Sequence, residues 1–148
     1  MNLHIRISDT DICFACYDMT AGGAPHFKFQ PYHVRPQASL TVNLRLAMQQ
    51  IELLQQSYER AEVYVNAPVT PIPLVEFQEE DVDTTYNFCF SPDVKRRVFY
   101  DSVPASNVVL LFALAEATCH AFEEAFGQVR YTSALTPVLQ HFAQKGLS

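Results

Sequence analysis

The residues whose types and spacing invite chemistry are Cys13-Phe14-Ala15-Cys16, Cys119-His120, the trio Glu116, His120 and Glu124, and the acids Asp9, Asp11 and Asp18. Cys-x-x-Cys is the spelling of a zinc or redox pair. Here it falls on a predicted strand, where residues three apart point to opposite faces, so the two sulfurs cannot meet one ion. A redox pair also belongs at a helix N-terminus, where the thiolate is stabilised. The cysteines therefore read as core residues.

Cys119 and His120 are neighbours on a predicted helix and diverge by about 100°, which places Cys119 inside and His120 in water. Glu116, His120 and Glu124 stack at i, i+4 spacing and could hold a metal loosely, but such a trio reads first as a solvated helix face. Asp9 and Asp11 bracket a tight turn, where Asp bonds its own backbone, and no partner carboxylate follows for Asp18. Glycine-rich phosphate loops, G-x-S-x-G and H-E-x-x-H are absent from the sequence. Only four glycines are present, which counts against a close backbone cradle for phosphate. No catalytic, cofactor-binding or metal residue is assigned on this reading.

The totals narrow the class. A length of 148 residues, 49% hydrophobic and 12% aromatic, suits one folded α/β domain spanning residues 1–148. The formal charge of −6 argues against nucleic acid. The basic trio Lys95-Arg96-Arg97 reads as a solvated rim beside a turn. No basic-then-apolar leader opens the chain, and the longest apolar run, Val108 to Ala115, falls short of the roughly 20 residues that span a bilayer. The expectation is a cytoplasmic protein with reduced cysteines and no membrane segment.

The elements are organised around Ser39–Ala67. Leu40, Leu44, Ala47, Met48, Ile51, Leu54 and Tyr58 share a helical stripe, while Asn43, Gln49, Gln50, Glu52, Gln56 and Glu59 fall on the face predicted to meet water. Ser39 or Thr41 is the predicted N-cap. Ala61 to Val65 follows as a covered strand. Ahead of the helix, Leu3–Ile7, Ile12–Tyr17 and Phe27–Val34 predict three antiparallel strands, with Gly22-Gly23 in a turn and Pro31 marking an edge or bulge. Behind it, Pro68–Pro73 looks too proline-rich for regular structure. A short helix over Leu74–Glu80 follows, its acidic end (Glu79, Glu80, Asp81, Asp83) read as solvated.

Thr85–Phe90 and Arg96–Val103 then predict an inserted β-hairpin around Ser91–Val94, with Tyr86, Phe88 and Phe90 on one face. Val108–Leu114 reads as a second covered strand. Glu116–Phe126 reads as a helix closed by Gly127, Gln128–Ser133 as a strand, and Thr136–Lys145 as a helix with Pro137 in its first turn. The fold class is α/β: a mixed sheet that opens with three antiparallel strands and continues in βα units.

That order resembles the first lobe of the actin-like ATPase superfamily, a ribonuclease H-like fold. There the turn between the first two strands carries an acid and a glycine that hold phosphates and magnesium. Setting Ile7–Cys16 against it places Arg6 where the acid would lie and Ser8 where the glycine would lie. The catalytic motif is therefore missing from the resemblance.

Leu3–Tyr17, Pro68–Leu74, Val98–Asp101, Asn107–Ala113 and the join Phe126…Val129-Arg130-Tyr131 are similar to the bacterial family known as domain of unknown function 3822. That resemblance implies a degenerate two-lobed actin-like fold, of which this chain is chiefly the first lobe, cut near Leu147-Ser148. It carries over no active residue and no cofactor.

The function that follows is a non-catalytic interaction or scaffold module. Its partner is a protein, a second lobe or another copy of itself, docked on the Thr85–Val103 hairpin or on the last helix around Val138, Leu139 and Phe142. The alternative is an ATP-binding protein with atypical phosphate contacts near Ser8–Asp11, from Asp9, Thr10 or Asp11. A hydrolase or thiol enzyme stands third.

Overall fold

The computed structural model describes residues 1–8, 10–19, 25–90 and 95–145. Asp9, the glycine turn, Ser91–Val94 and the Leu147-Ser148 end lie outside them. The chain forms two compact units, Met1–Tyr64 with Ala117–Arg130, and Val65–Glu116 with Tyr131–Ser148.

The first unit opens with β1 (Asn2–Ile7), β2 (Asp11–Met19) and β3 (Pro25–His33). These pair antiparallel, with Ile5 opposite Phe14 and Phe14 opposite Gln30. Together with β4 (Arg60–Val65) and β8 (Val129–Ser133) they form a sheet of order β3-β2-β1-β4-β8. Period-two alternation buries Leu3, Ile5 and Ile7 on β1 and Ile12, Phe14 and Cys16 on β2. β3 is an edge strand, the place that Pro31 required.

Helix α1 (Leu40–Gln50) is capped by Ser39, whose hydroxyl accepts from Val42 N at 3.2 Å. It is shorter than its apolar spacing predicts. Ile51 takes an extended conformation (φ −100°, ψ 114°), and a 3₁₀ turn follows over Glu52–Gln55. Tyr58 thus lies beyond the helix, and its hydroxyl donates to Leu53 O at 2.6 Å. A helix stripe and a 3₁₀ stripe share spacing for a turn or two, so periodicity alone overshoots the end.

Asn43 overturns a second expectation, because it is fully buried at 0% exposure. Its amide nitrogen donates to the carbonyls of Arg35, Ala38 and Ser39, and its Oδ1 accepts from Arg35 N at 2.7 Å and from the Tyr32 hydroxyl. An amide can be buried only when its donors and acceptors are met, and these are. Helix α3 (Glu116–Phe126) completes the unit, burying Thr118, Cys119 and Phe122. It ends at Gly127, whose φ of +76° suits a left-handed C-cap.

The second unit holds the other corrections. Thr70–Pro73, expected to be irregular, is the short strand β5. It pairs antiparallel with β7 (Val108–Ala115), which pairs in turn with β6 (Arg96–Val103), giving the order β5-β7-β6. Leu74 N donates to Asn107 O, which continues the β5 register by one pair. By ladder alternation Ile72 also bonds inward, while Pro71 and Pro73 sit at outward positions where no donor is needed.

Leu74–Glu80 is two 3₁₀ turns, Leu74–Glu76 and Glu79–Asp81, in place of the expected helix. The inserted hairpin is corrected as well: its first strand is helix α2 (Val82–Cys89), and β6 pairs with β7. Val82 and Tyr86, one turn apart, enter a core with Val109, Leu111 and Ala113, while Phe88 is left 93% exposed. Burying that i, i+4 pair outweighs the strand preference of three alternating aromatics.

Strand β7 is covered on both faces, as expected. Its odd residues meet the α2 core, and Phe112 stacks on Phe99 at 5.5 Å, which meets Tyr131 at 4.7 Å. Helix α4 (Leu135–Gln144) closes the chain with Pro137 in its first turn.

Candidate functional site

The β1–β2 turn is where the resemblance would put phosphate. Ser8 N donates to Asp11 O at 3.0 Å, and the Ser8 hydroxyl accepts from Asp11 N at 3.2 Å. Thr10 Oγ1 donates to one Asp11 carboxylate oxygen at 3.2 Å, and His33 Nδ1 lies 3.0 Å from the other. Val34 N closes on Thr10 O. Ser8, Thr10 and Asp11 thus bond to one another and to His33 and Val34 at the end of β3. Exposed Arg6 stands on β1 opposite Cys13, with no acid in its place. Among the described residues, the arrangement knots a turn in which Ser8 N and Asp11 N are already bonded.

The other candidates disperse. Cys16 is buried and Cys13 half-buried, on opposite faces of β2, and no disulfide links any cysteine. Cys119 is buried and His120 exposed, as the helix geometry requires. Glu116 is taken by Arg97 at 2.9 Å, away from any ligand role with His120 and Glu124. Among the described residues no group of His, Cys, Asp and Glu could hold a metal. Asp18 stands opposite His26 in the β2–β3 register, apart from the turn.

Two of the basic trio, Arg96 and Arg97, are structural, while Lys95 is exposed as expected of a rim. Arg96 lies 4.5 Å over the Tyr86 ring and donates to Asn87 Oδ1 and Phe90 O. Burial pushes the Tyr86 phenol above its usual pKa, and the Arg96 cation pulls it partly back. Tyr64 is likewise raised, by burial first and by Glu62 next. The acidic stretch Glu79–Asp81 is exposed, and Glu79 accepts from the Tyr100 hydroxyl, which holds that phenol's proton more tightly.

What the chain does present is open apolar surface. On α4, Leu135, Val138 and Phe142 are 39%, 46% and 45% exposed along one stripe. On the first unit, Tyr17, Phe27 and Phe29 are more than half exposed and touch in series, at 5.2 and 6.4 Å. A groove of about 490 Å³ beside β3 is lined by Lys28, Gln30, Gln50, Glu52 and Gln56. A second of about 350 Å³, between α1 and α3, is lined by Leu44, Met48, Ala121 and Ala125, with Arg45 and Glu124. Neither groove includes the β1–β2 turn. Sequence reasoning named α4 but missed the aromatic series, although Phe27 and Phe29 share a parity that an edge strand leaves open.

Comparisons with known proteins give a family and a fold. A family model described as "Protein of unknown function (DUF3822)" matches residues 1–146. A crystal structure from Bacteroides thetaiotaomicron VPI-5482, described as a protein with actin-like ATPase fold and unknown function, superposes with a TM-score of 0.86 at 25% identity. The match covers 97% of this chain and 56% of that one, so this chain spans little more than half the length of that relative. Comparison with curated proteins finds no match. No helix among the described residues is long and apolar enough to cross a membrane.

Proposed function

The chain belongs to the DUF3822 family and has an actin-like ATPase fold; on that premise we propose that it is a non-catalytic protein-interaction module. The observation that carries this reading is the α4 stripe Leu135, Val138 and Phe142, three apolar side chains left in water on one helix face. A stripe of this kind is where a helix ordinarily meets its neighbour. The fitting occupant is a second actin-like lobe, from the same polypeptide or from a partner. The Ser8–Asp11 turn supports the non-catalytic half of the proposal, because the Ser8 hydroxyl is bonded to the Asp11 backbone and the Thr10 hydroxyl to the Asp11 carboxylate.

Two measurements test it. Thermal unfolding with millimolar Mg-ATP should leave the midpoint unchanged. A nucleotide at 100 times its dissociation constant would stabilise the fold by about 2.7 kcal/mol, and such a rise would instead favour ATP held near Ser8–Asp11. A Val138→Lys, Phe142→Lys double variant should keep its stability within about 0.5 kcal/mol, as exposed positions do, and lose binding of an apolar dye. A large loss of stability would show the stripe to be internal packing and would sink the proposal.

A further inference from the structure

Strand β3 forms one edge of the first sheet. Val34 N donates to Thr10 O, and the β2–β3 register runs unbroken from Asp11 opposite His33 to Met19 opposite Pro25. Residues in an antiparallel ladder alternate between bonding inward and facing out. Tyr32, Gln30, Lys28 and His26 therefore spend their backbone groups on β2. Phe27, Phe29, Pro25 and Pro31 turn theirs to the open edge. β1 gives the same phase independently: Ser8 N donates to Asp11 O, so odd residues of β2 bond β1 and even residues are left for β3.

The outward positions read Pro25, Phe27, Phe29, Pro31, and the full segment PHFKFQP is nearly a palindrome about Lys28. A two-fold axis through Lys28 sets Phe27 of one copy against Phe29 of the other. Each outward N–H then meets an outward carbonyl. The same axis sets Pro25 against Pro31, so that pair makes no backbone bond and the pairing rests on Phe27 and Phe29. Prolines and lysine on an edge ordinarily keep foreign strands away. Here the prolines bound the stretch of edge that stays open to pairing, Phe27–Phe29.

Side chains follow the same symmetry. Phe27 and Phe29 lie on one face with Tyr17, already in ring contact. Pairing merges the two exposed series into one apolar cluster, a self-complementary patch of the kind a two-fold interface needs. On the opposite face the two Lys28 side chains oppose each other. Each shares a groove with Glu52, so the two adjoining grooves bring an acid for each lysine.

We propose that a second copy of this chain docks on the open edge of β3, with antiparallel β3–β3 pairing centred on Lys28. The surface is distinct from the α4 stripe and does not depend on what covers that stripe.

The test is a cross-link at the axis. Lys28 opposite Lys28 is a pair without mutual backbone bonds, for which Cα atoms lie about 4.5 Å apart, within the reach of a disulfide. In a Cys89→Ser background, which removes the exposed thiol, a Lys28→Cys variant should oxidise to a covalent dimer about tenfold faster than a Gln30→Cys variant. Gln30 shares the face but is displaced from its symmetry mate along the strand.

Sedimentation of the unmodified chain should show twice the monomer mass at about 0.1 mM. Phe29→Pro, which removes an outward donor without touching the β2 ladder, should return it to a monomer with an unchanged melting point. Should Phe29→Pro unfold the chain, the cross-linking ratio and the mass of the unmodified chain still decide the matter. A monomer at that concentration overturns the proposal. So does a dimer in which Lys28→Cys oxidises no faster than Gln30→Cys, which would place the contact elsewhere.

Discussion

Thr136 Oγ1, at the start of α4, donates to Asp101 Oδ2 on β6 at 2.6 Å, and the same carboxylate oxygen accepts from Ser133 N at 2.8 Å. One side chain on a strand thus fixes the end of β8 and the first turn of α4, and so the direction in which the apolar stripe faces. Asp101→Ala leaves the Ser133 N–H and the buried Thr136 hydroxyl without that acceptor. Stability should fall by roughly 1–3 kcal/mol, read by urea denaturation. Hydrogen exchange should quicken in α4 first, and uniform quickening would contradict a local anchor.

Asn43 should be the costliest polar substitution. Asn43→Leu keeps the size but leaves Arg35 N and Ala38 O without that partner, while the Arg35 and Ser39 carbonyls keep the backbone donors Ala38 N and Asn43 N. The cost is roughly 1–3 kcal/mol for each group left unmet away from water. Thermal unfolding should show a loss well beyond that of Gln49→Leu on the exposed side of the same helix. Equal losses would mean that water replaces the amide and that the hub is not required.

Tyr86 makes stability depend on alkaline pH. Its folded pKa is raised above the ordinary value of 10.0, chiefly by burial. Its contribution is therefore complete below pH 10 and is lost as pH rises through the folded pKa. Tyr86→Phe should flatten the alkaline arm of a plot of stability against pH while leaving the acid arm unchanged. An identical alkaline arm in the variant would assign that loss to another group.

The cysteines should sort by exposure. Cys89 is exposed and should react with a thiol reagent at the rate of a free thiol, whereas Cys16 and Cys119, both 0% exposed, should wait for unfolding. Rapid labelling of Cys119 in the native protein would reopen the thiol–imidazole reading.

Much of the fold was legible because its signals were local. Alternation placed β1 and β2, an apolar run placed β7, and caps at Ser39 and Gly127 bounded two helices. Several misses were decided by a partner outside the element itself. Tyr86 is helical because Val109 and Leu111 wait for it, and β5 is a strand because β7 supplies inward donors and acceptors. Asn43 looks like any polar residue on a helix until the Arg35–Ser39 loop folds over it. The candidate surfaces were legible only in part. α4 announced itself by its own periodicity, whereas the Tyr17–Phe27–Phe29 series requires the β2–β3 register to be known.

The alternate prolines of β5 set a rule about length rather than composition. Pro71 and Pro73 are harmless because they share a parity with the outward side of the ladder. Many residues could replace either one. A single residue inserted between them would turn one proline toward β7, where a donor is needed. Along this segment the chain should accept exchanges freely while rejecting any odd change in spacing, as a reading frame does.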